Sequence, residues 1–269
     1  MTIARVRRHD DGGFALLIVL WSVAVLALVT GTLLSGARVE MRLAANRRGA
    51  AVASTAADAA ISAAILDLLR AEGTTAARRR MGQADVAIRL ENLSGRINPN
   101  LASAAMLNAL LQSLGMAAQP AERLAAAIVD WRTPGLSPSA HGAKAAAYQG
   151  ANLPYGPPGR PFEHLDELGA VLGMTPAVLA AMTPHLTLWS TSDPDPAFAS
   201  APVLVALRAA GAPPVPARST EAQVIAITAA ASVPDAPLVT RRAVVRFGYS
   251  PDGRGWRILA WDDASADSG

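Results

Sequence analysis

The sequence predicts an α+β fold, in which a long amino-terminal helix packs on a small antiparallel sheet and a large helical domain is inserted into the sheet region. Three observations support this prediction. An uncharged apolar run near the amino terminus passes into a helical pattern. Leucine-rich helical segments with glycine corners fill the middle of the chain, and strand-like runs separated by turn residues occupy its end.

The composition excludes several classes of protein. Hydrophobic residues make up 51% of the 269 residues and charged residues 17%, which excludes an intrinsically disordered chain. Cysteine is absent, and this removes disulfide scaffolds, thiolate zinc sites and cysteine nucleophiles. A net charge of +3 does not by itself indicate a nucleic-acid partner.

The first element is an apolar helix long enough to cross a membrane. Residues 14–34 carry no charged side chain, and these 21 residues would span roughly 31 Å at ~1.5 Å per residue. Arginines precede the run at positions 5, 7 and 8, so the positive-inside rule keeps the leader in the cytoplasm and places the rest outside.

Three interpretations of this run remain open. It could be a cleaved secretory signal, with Ser35-Gly36-Ala37 as the cleavage site, although the run exceeds the ~7–15 residues typical of such signals. It could be a plain single-span anchor. The third interpretation starts from the glycine pair Gly12-Gly13, which directly precedes Phe14 on the cytoplasmic side of the span.

The helix is predicted to continue beyond the membrane to about residue 72. The apolar positions Ile61, Ile65, Leu68 and Leu69 follow the i, i+4, i+7, i+8 spacing of a packed amphipathic helix. An interruption is expected around Thr30-Gly31 or Ser35-Gly36.

The middle of the chain predicts pairs of helices joined by glycine corners. One leucine-rich helix ends at Gly115 and is followed by a helix that stops at Pro134, and a similar pair surrounds Gly173, its first helix running from Phe162 to Leu172. A weaker third copy lies at residues 202–207. This arrangement predicts helix-hairpin-helix (SAM-like) repeats.

The sheet is predicted from four strand-like runs. Residues 82–91 alternate, with Val86, Ile88 and Leu90 on one side. Later runs cover residues 224–228, 241–249 and 256–261, and the last two read as a hairpin joined by SPDGRG. Arg78, Arg79 and Arg80, just before the first run, are expected to form an exposed loop.

The basic leader, Gly13, Phe14 and the apolar helix together resemble a type IV pilin or pseudopilin precursor. The resemblance implies that a prepilin peptidase cleaves between Gly13 and Phe14 and methylates the new amino terminus on Phe14. Most pilins carry a glutamate at the fifth mature position, where this chain has Ile18. The minor pseudopilin K branch of type II secretion systems typically lacks this glutamate, as suits a subunit with no neighbour above it.

The inserted region is similar to the same branch in four motifs. They are Ser-Gly-Arg-Ile-Asn followed by a leucine-rich helix, from Ser94 to Gly115; Asp130-Trp131-Arg132; a Gly-Ala pair followed by a tyrosine, from Gly142 to Tyr148; and Pro-Phe-x-x-x-x-Glu-Leu, from Pro161 to Leu168.

The resemblance implies a pilin-like domain order. Residues 1–13 form the leader, residues 14–35 the transmembrane half and residues 36–75 the soluble half of the first helix. Residues 76–95 and 201–269 form the sheet region, and residues 96–200 the inserted helical domain.

The implied function is that of a minor pseudopilin at the tip of the secretion pseudopilus, which starts or caps its assembly for protein export across the outer membrane. The implied partners are the I-type and J-type minor pseudopilins, the major pseudopilin, the prepilin peptidase and inner-membrane lipid. The bulk of the chain is expected in the periplasm, on a single span of the inner membrane.

The alternative function is that of a membrane-anchored, helix-hairpin-helix DNA-binding protein of the competence-receptor type. Residues 102–119 contain no lysine or arginine, and Glu163, Asp166 and Glu167 flank the second corner, so nucleic acid is not expected as a partner. No catalytic motif occurs, and the chain is not expected to be an enzyme.

No cofactor or metal site is predicted. His164 and Glu167 lie one helical turn apart, but this spacing more often marks a solvated helix face. The resemblance implies a possible calcium site, because calcium binding is associated with the inserted domain in the family, whose members often carry acidic residues after Asp-Trp-Arg and within the Gly-Ala segment. Here those positions read TPGLSPS and KAAA, which lack carboxylates for a calcium ion.

Overall fold

The computed structural model describes residues 12–70, 77–211, 223–248 and 255–263. In order, the elements of these residues are α1 (Gly12–Leu69), β1 (Ala77–Met81), β2 (Ala84–Asn92), α2 (Ala104–Ser113), α3 (Ala118–Arg132), α4 (Ala145–Gly150), a 3-10 helix (Leu165–Ala170), α5 (Pro176–Met182), a 3-10 turn (Thr183–His185), α6 (Ala201–Ala209), β3 (Gln223–Ser232), β4 (Val239–Phe247) and β5 (Trp256–Asp263).

The first helix is continuous. The interruption predicted around Thr30-Gly31 or Ser35-Gly36 is wrong, because α1 runs unbroken through 58 residues. A helical glycine costs only about 1 kcal/mol, whereas a broken turn in an apolar environment would leave backbone groups without partners. The Thr30 hydroxyl also stays within the helix and donates to the Leu26 carbonyl oxygen at 2.7 Å.

The carboxyl-terminal half of α1 packs on one face of the sheet. Its buried side chains are mostly small, which allows the helix to approach the strands closely. Ile61 and Ile65 are 0% and 3% exposed, and Leu68 is partly buried, as the stripe predicts. Leu69 is 42% exposed and does not belong to the packed face. The remaining buried members on α1 are Ala53, Ala56, Ala57, Ala60 and Ala64.

The sheet is antiparallel throughout, with the strand order β1-β2-β3-β4-β5. Strand β2 pairs with β3 from Asp85 opposite Ser232 to Asn92 opposite Ile225, so the helices between these strands are an insertion within the sheet. Val86 and Ile88 are buried as predicted.

One strand was not predicted. The prediction of an exposed loop at residues 78–80 is wrong, because these three arginines lie in β1. They pair antiparallel with residues 85–87 of β2, from Arg78 opposite Ala87 to Arg80 opposite Asp85. The two later strands match the predicted hairpin runs, although residues 249–254, which include Tyr249 and all of the connecting segment SPDGRG except Gly255, lie outside the described residues.

The helices between β2 and β3, called the helical unit below, have their own core. Leucines of α2 and α3 pack together with buried side chains from the 3-10 helix, α5 and α6. Helix α6 lies against α2, with Val203 and Ala206 fully buried, so the helical packing extends past residue 200, where the sheet region was expected to begin. The helix expected from Phe162 to Leu172 is only a 3-10 helix over Leu165–Ala170. Helix α5 starts after Thr175, as predicted, and the Thr175 hydroxyl accepts from the Val178 N–H.

Candidate assembly surfaces

The amino-terminal part of α1, residues 16–30, exposes apolar side chains on every side. Leu16, Leu20 and Trp21 are 72%, 70% and 69% exposed, and residues 16–30 include no charged side chain. Ile18, at the position where most pilins have glutamate, is 50% exposed. A surface of this kind requires lipid or neighbouring helices around it. Gly13 and Phe14 lie in the first turn of the same helix, and cleavage between them stays a prediction.

By length and composition, residues 40–69 could also cross a membrane, and Leu16–Thr30 is a shorter apolar stretch. The carboxyl-terminal part of the longer stretch packs on the sheet, as Ala57 and Ile61 show by being fully buried. The apolar residues of that part therefore belong to the core that α1 forms with the sheet, called the head together with the helical unit, whereas residues 16–30 are the exposed apolar surface and are compatible with a transmembrane anchor.

Ahead of the part that packs on the sheet, α1 has a bare segment, residues 40–48, whose side chains are all exposed. It carries Glu40 and three arginines, and among them Met41 and Leu43 are 72% and 47% exposed. A helix with mixed charged and apolar side chains and no partner on any side is suited to contacts with other helices.

Polar contacts fix α1 to the strands. The Asp58 carboxylate accepts a hydrogen bond from the Trp261 indole N–H at 3.1 Å and lies 3.6 Å from Arg241 Nε. Asp67 pairs with Arg79, which accounts for that arginine of β1. These contacts join the helix to both edge strands of the sheet and set its rotation on the packed face.

The Ser94–Asn98 motif forms the junction between the sheet and the helical unit. The Ser94 hydroxyl accepts from the Val224 N–H at 2.9 Å, and the Ser94 carbonyl accepts from the Asp195 N–H at 2.8 Å. A Cβ on Gly95 would lie 2.2 Å from the Phe198 carbonyl, so only glycine fits. The Asn98 side chain is 6% exposed, and its amide donates to the Ser190 carbonyl at 2.6 Å.

The other three motifs converge on Trp131. Its ring stacks on Phe162 with centroids 6.2 Å apart and an interplanar angle of 5°. It also contacts Tyr148 and Tyr155, at 6.1 and 6.5 Å. Tyr148 is fully buried, and its hydroxyl accepts from the Leu172 N–H. The motifs that carry the family resemblance are therefore a packing framework.

Hydrogen bonds complete this framework. The Asn100 side chain accepts from the Phe162 N–H at 2.8 Å and donates to its carbonyl at 2.9 Å. The Arg132 guanidinium donates to the carbonyls of Pro99 and Ala102, and burial lowers the pKa of Arg132. The role of Asn100 was missed, since a single asparagine in a loop gives no pattern that marks a partner 62 residues away.

The loop between α3 and α4 does not suit calcium. The Asp130 carboxylate is buried and accepts from the Ser139 N–H at 3.0 Å. The Lys144 ammonium donates to the carbonyls of Asp130 and Thr133, both at 2.6 Å. A positive charge among the loop's oxygen atoms opposes a second cation, and calcium prefers six to eight oxygens. Within the described ranges, acidic and histidine side chains form no group of three that could hold a metal ion.

The glycine corner at Gly115 is closed by its own backbone hydrogen bonds. After α2, the Gly115 N–H donates to the Gln112 carbonyl and the Met116 N–H donates to the Leu111 carbonyl. Gly115 has φ 95°, so this is a Schellman cap. These N–H groups already have partners, and a phosphate could not use them as it would in a DNA-binding hairpin.

His164 and Glu167 meet at the start of the 3-10 helix. The Glu167 carboxylate accepts from the His164 N–H at 3.0 Å and so caps the 3-10 helix. His185 contacts Ser200, its Nδ1 lying 2.8 Å from the hydroxyl oxygen. Burial, and then the charge of Arg96, lower the pKa of His185 from its usual 6.5.

A cleft of about 460 Å³ lies where the helical unit meets β4 and β5. Its lining includes apolar side chains such as Leu186 and Val244 and charged side chains of both signs, among them Arg96, Asp166 and Asp262. Such a lining does not select an anion or a cation.

Comparisons with known proteins agree with this framework. Residues 88–191 match the family model described as type II secretion system, protein K. The fold is similar to a chain in the crystal structure of the GspK-GspI-GspJ complex from the enterotoxigenic Escherichia coli type 2 secretion system. The TM-score is 0.62 at 15% identity, with 84% of this chain and 99% of that chain covered. No curated protein matches the sequence. The described mixture of helices and antiparallel sheet is consistent with a GspK-like fold, and the resemblance to the minor pseudopilin K family of type II secretion systems, a family of structural secretion components, is confirmed.

Proposed function

We propose that this protein is the minor pseudopilin at the tip of a type II secretion pseudopilus, where it starts or caps filament assembly for protein export across the outer membrane. The observation that carries the proposal is the shape of the molecule: one unbroken helix, bare over residues 40–48, ends in a head widened by a large helical unit. The helix offers a surface for packing into a bundle, and the wide head suits the end of a filament.

The absent carboxylate supports the tip position. A buried glutamate near the mature amino terminus needs a partner on a neighbouring subunit, because an unpaired charge in a bilayer is costly. Ile18 removes that requirement. The chain thus fits a position with companions beneath it and none above.

The partners in this proposal are other pseudopilins. The similar solved chain belongs to a complex named for GspK, GspI and GspJ, which supports I-type and J-type minor pseudopilins as neighbours. They pack along the bare segment and along residues 16–30. The major pseudopilin lies below them in the filament.

Processing and location follow the same proposal. Residues 1–13 are a leader removed by the prepilin peptidase, residues 14–35 cross the inner membrane, and the head lies in the periplasm. The chain acts as a structural component with no catalytic step. The two glycine corners belong to paired helix-hairpin-helix repeats, an interpretation supported by their similar Leu-Gly-Met sequences and by the positive φ values at Gly115 and Gly173.

The processing step can be tested with two neighbouring glycines. With the peptidase co-expressed, Gly13→Ala should block cleavage, and the matched control Gly12→Ala should leave it intact. Amino-terminal sequencing and mass spectrometry of the mature chain should show a methylated Phe14. Normal trimming of Gly13→Ala, or a mature chain beginning elsewhere, would contradict the proposal.

The interface can be tested with two exposed leucines. Leu43→Glu places a charge on the bare segment and should reduce co-purification with I-type and J-type pseudopilins. Leu136→Glu, at a residue 92% exposed in the loop after α3, is the control and should leave it unchanged. If only Leu136→Glu reduced co-purification, the contact with the other pseudopilins would lie on the helical unit instead. A salt-sensitive gel shift with duplex DNA would favour the alternative function.

A further inference from the structure

Lys144 is the only lysine in the chain, and the other 23 basic residues are arginines. Surface positions throughout the molecule therefore use arginine. The single lysine is 6% exposed, where a long charged side chain is rarely found without specific partners. Because the one lysine of the chain is buried, we expect its position to require a property that arginine lacks.

The contacts of Lys144 supply that reason. Its Nζ lies 2.6 Å from the carbonyl oxygen of Asp130 and 2.6 Å from that of Thr133. Both carbonyls belong to the end of α3, where Thr133 is the C-cap residue. Lys144 itself is the N-cap residue of α4. The ammonium group therefore ties the end of one helix to the start of the next across the intervening loop.

A compact ammonium group fits this position better than a guanidinium. The last carbonyls of a helix carry partial negative charge, and a cation at that end is stabilised. An ammonium is a point charge whose three N–H donors can turn toward two oxygens of one turn, whereas the planar guanidinium fork is suited to bidentate acceptors. Two backbone carbonyls at short distance are also the ligands that a hard metal cation would take.

The rest of the loop leaves no place for such a metal ion. The Asp130 carboxylate accepts from the Ser139 N–H, and a Cβ on Gly142 would lie 2.1 Å from its Oδ2. The buried Asp130 carboxylate of α3, which faces the loop, is thus already enclosed by the loop.

We propose that Lys144 is a built-in cation that closes the α3–α4 loop in place of a bound metal ion, so that the helical unit keeps this loop ordered without calcium. The inference concerns the packing of the helical unit and does not depend on the position of the protein in a filament.

The unaltered full-length protein in detergent provides the first test. Its thermal midpoint should be the same in excess EDTA and in millimolar calcium, and terbium should give no tryptophan-sensitised emission. A midpoint that rises with calcium and falls with EDTA, or saturable terbium emission, would overturn the proposal.

Substitution provides the second test. Lys144→Met keeps the apolar stem and removes the charge, which leaves the buried Asp130 carbonyl and the partly buried Thr133 carbonyl without this donor. The midpoint should fall by about 5 °C or more. Calcium should not restore it. Arg123→Met, at an exposed position of α3, removes one positive charge as a control and should leave the midpoint close to that of the parent. An unchanged midpoint for Lys144→Met would overturn the proposal.

Amine labelling gives a third test that needs no variant. Because the chain has one lysine, a reagent specific for primary amines reports on that site alone, apart from the amino terminus. Peptide mass spectrometry should show Lys144 modified at least about a hundredfold more slowly in the native than in the denatured protein, with or without calcium. Rapid labelling of the native protein would show that the ammonium is not held.

Discussion

Replacing Gly95 with alanine tests how firmly the helical unit is fixed to the sheet. The added Cβ would lie 2.2 Å from the carbonyl carbon and oxygen of Phe198 and 2.6 Å from the Ala199 nitrogen, all backbone atoms. Since ordinary contacts begin at 3.4 Å, one backbone segment must move by more than an ångström. That movement would disrupt the adjoining hydrogen bond from the Asp195 N–H to the Ser94 carbonyl.

The expected loss is about 2–4 kcal/mol, from ~1–3 kcal/mol of overpacking and about 1 kcal/mol for the hydrogen bond. For a protein of this size the midpoint should fall by about 5–15 °C. Thermal unfolding of the full chain in detergent, followed by near-ultraviolet circular dichroism, measures the change at the buried aromatic side chains.

Gly150→Ala is the matched control. Gly150 ends α4, and a Cβ there meets no atom within 4 Å. Alanine should leave stability unchanged or raise it by up to about 1 kcal/mol. If Gly95→Ala has the same thermal midpoint as the parent protein, the described close contact between the two backbones is wrong, and so is the description of the junction that depends on it.

Three further substitutions test other parts of the framework. Trp131→Ala should cost about 3–5 kcal/mol, because it empties the centre of the aromatic cluster, and denaturant titration measures the loss. Asn98→Asp keeps the shape but replaces the amide donor facing the Ser190 carbonyl with a carboxylate, and should lower the thermal midpoint at neutral pH. The lowered pKa of His185 means that the unfolded chain takes up the proton first. Stability linked to His185 is therefore complete above about pH 6.5 and is lost as the pH falls through the folded-state pKa, so His185→Gln should flatten the pH dependence in that range.

Each of these expectations can fail separately. A Trp131 variant that unfolds at the parent's denaturant concentration would mean that its neighbours collapse into the space. An Asn98→Asp protein that regains its stability only on acidification would still agree with the carbonyl contact, whereas equal stability at neutral pH would contradict it. An unchanged pH profile for His185→Gln would show that another group controls acid stability.

The sequence predicted the long helix and the helical middle because both carry a strong period. Ile61 and Ile65 mark the packed face of α1 by spacing alone. The interruption predicted near Gly31 was wrong because a local preference of about 1 kcal/mol cannot decide the course of a long apolar helix. Strand β1 was missed because its three consecutive arginines show no alternation, although Arg79 has a partner on α1.

The sequence predicted which motifs form the site but not how their side chains contact one another. The sequence motifs include Trp131, Tyr148 and Phe162. That these three rings form one cluster was not predicted, because their contact depends on the path of the intervening loops. Lys144 marked only a departure from the family's acidic residues. Its contact with two carbonyls became visible once α3 and α4 were placed, since no sequence spacing predicts that an ammonium faces backbone oxygens.

The unbroken α1 has a mechanical consequence. Its 58 residues measure about 87 Å at a ~1.5 Å rise, and no hinge divides them. An axial push applied at the bilayer end reaches the sheet as the same displacement, and a rotation arrives as the same angle. If the protein takes the proposed tip position, force along the helix axis would therefore reach the head through the continuous helix itself.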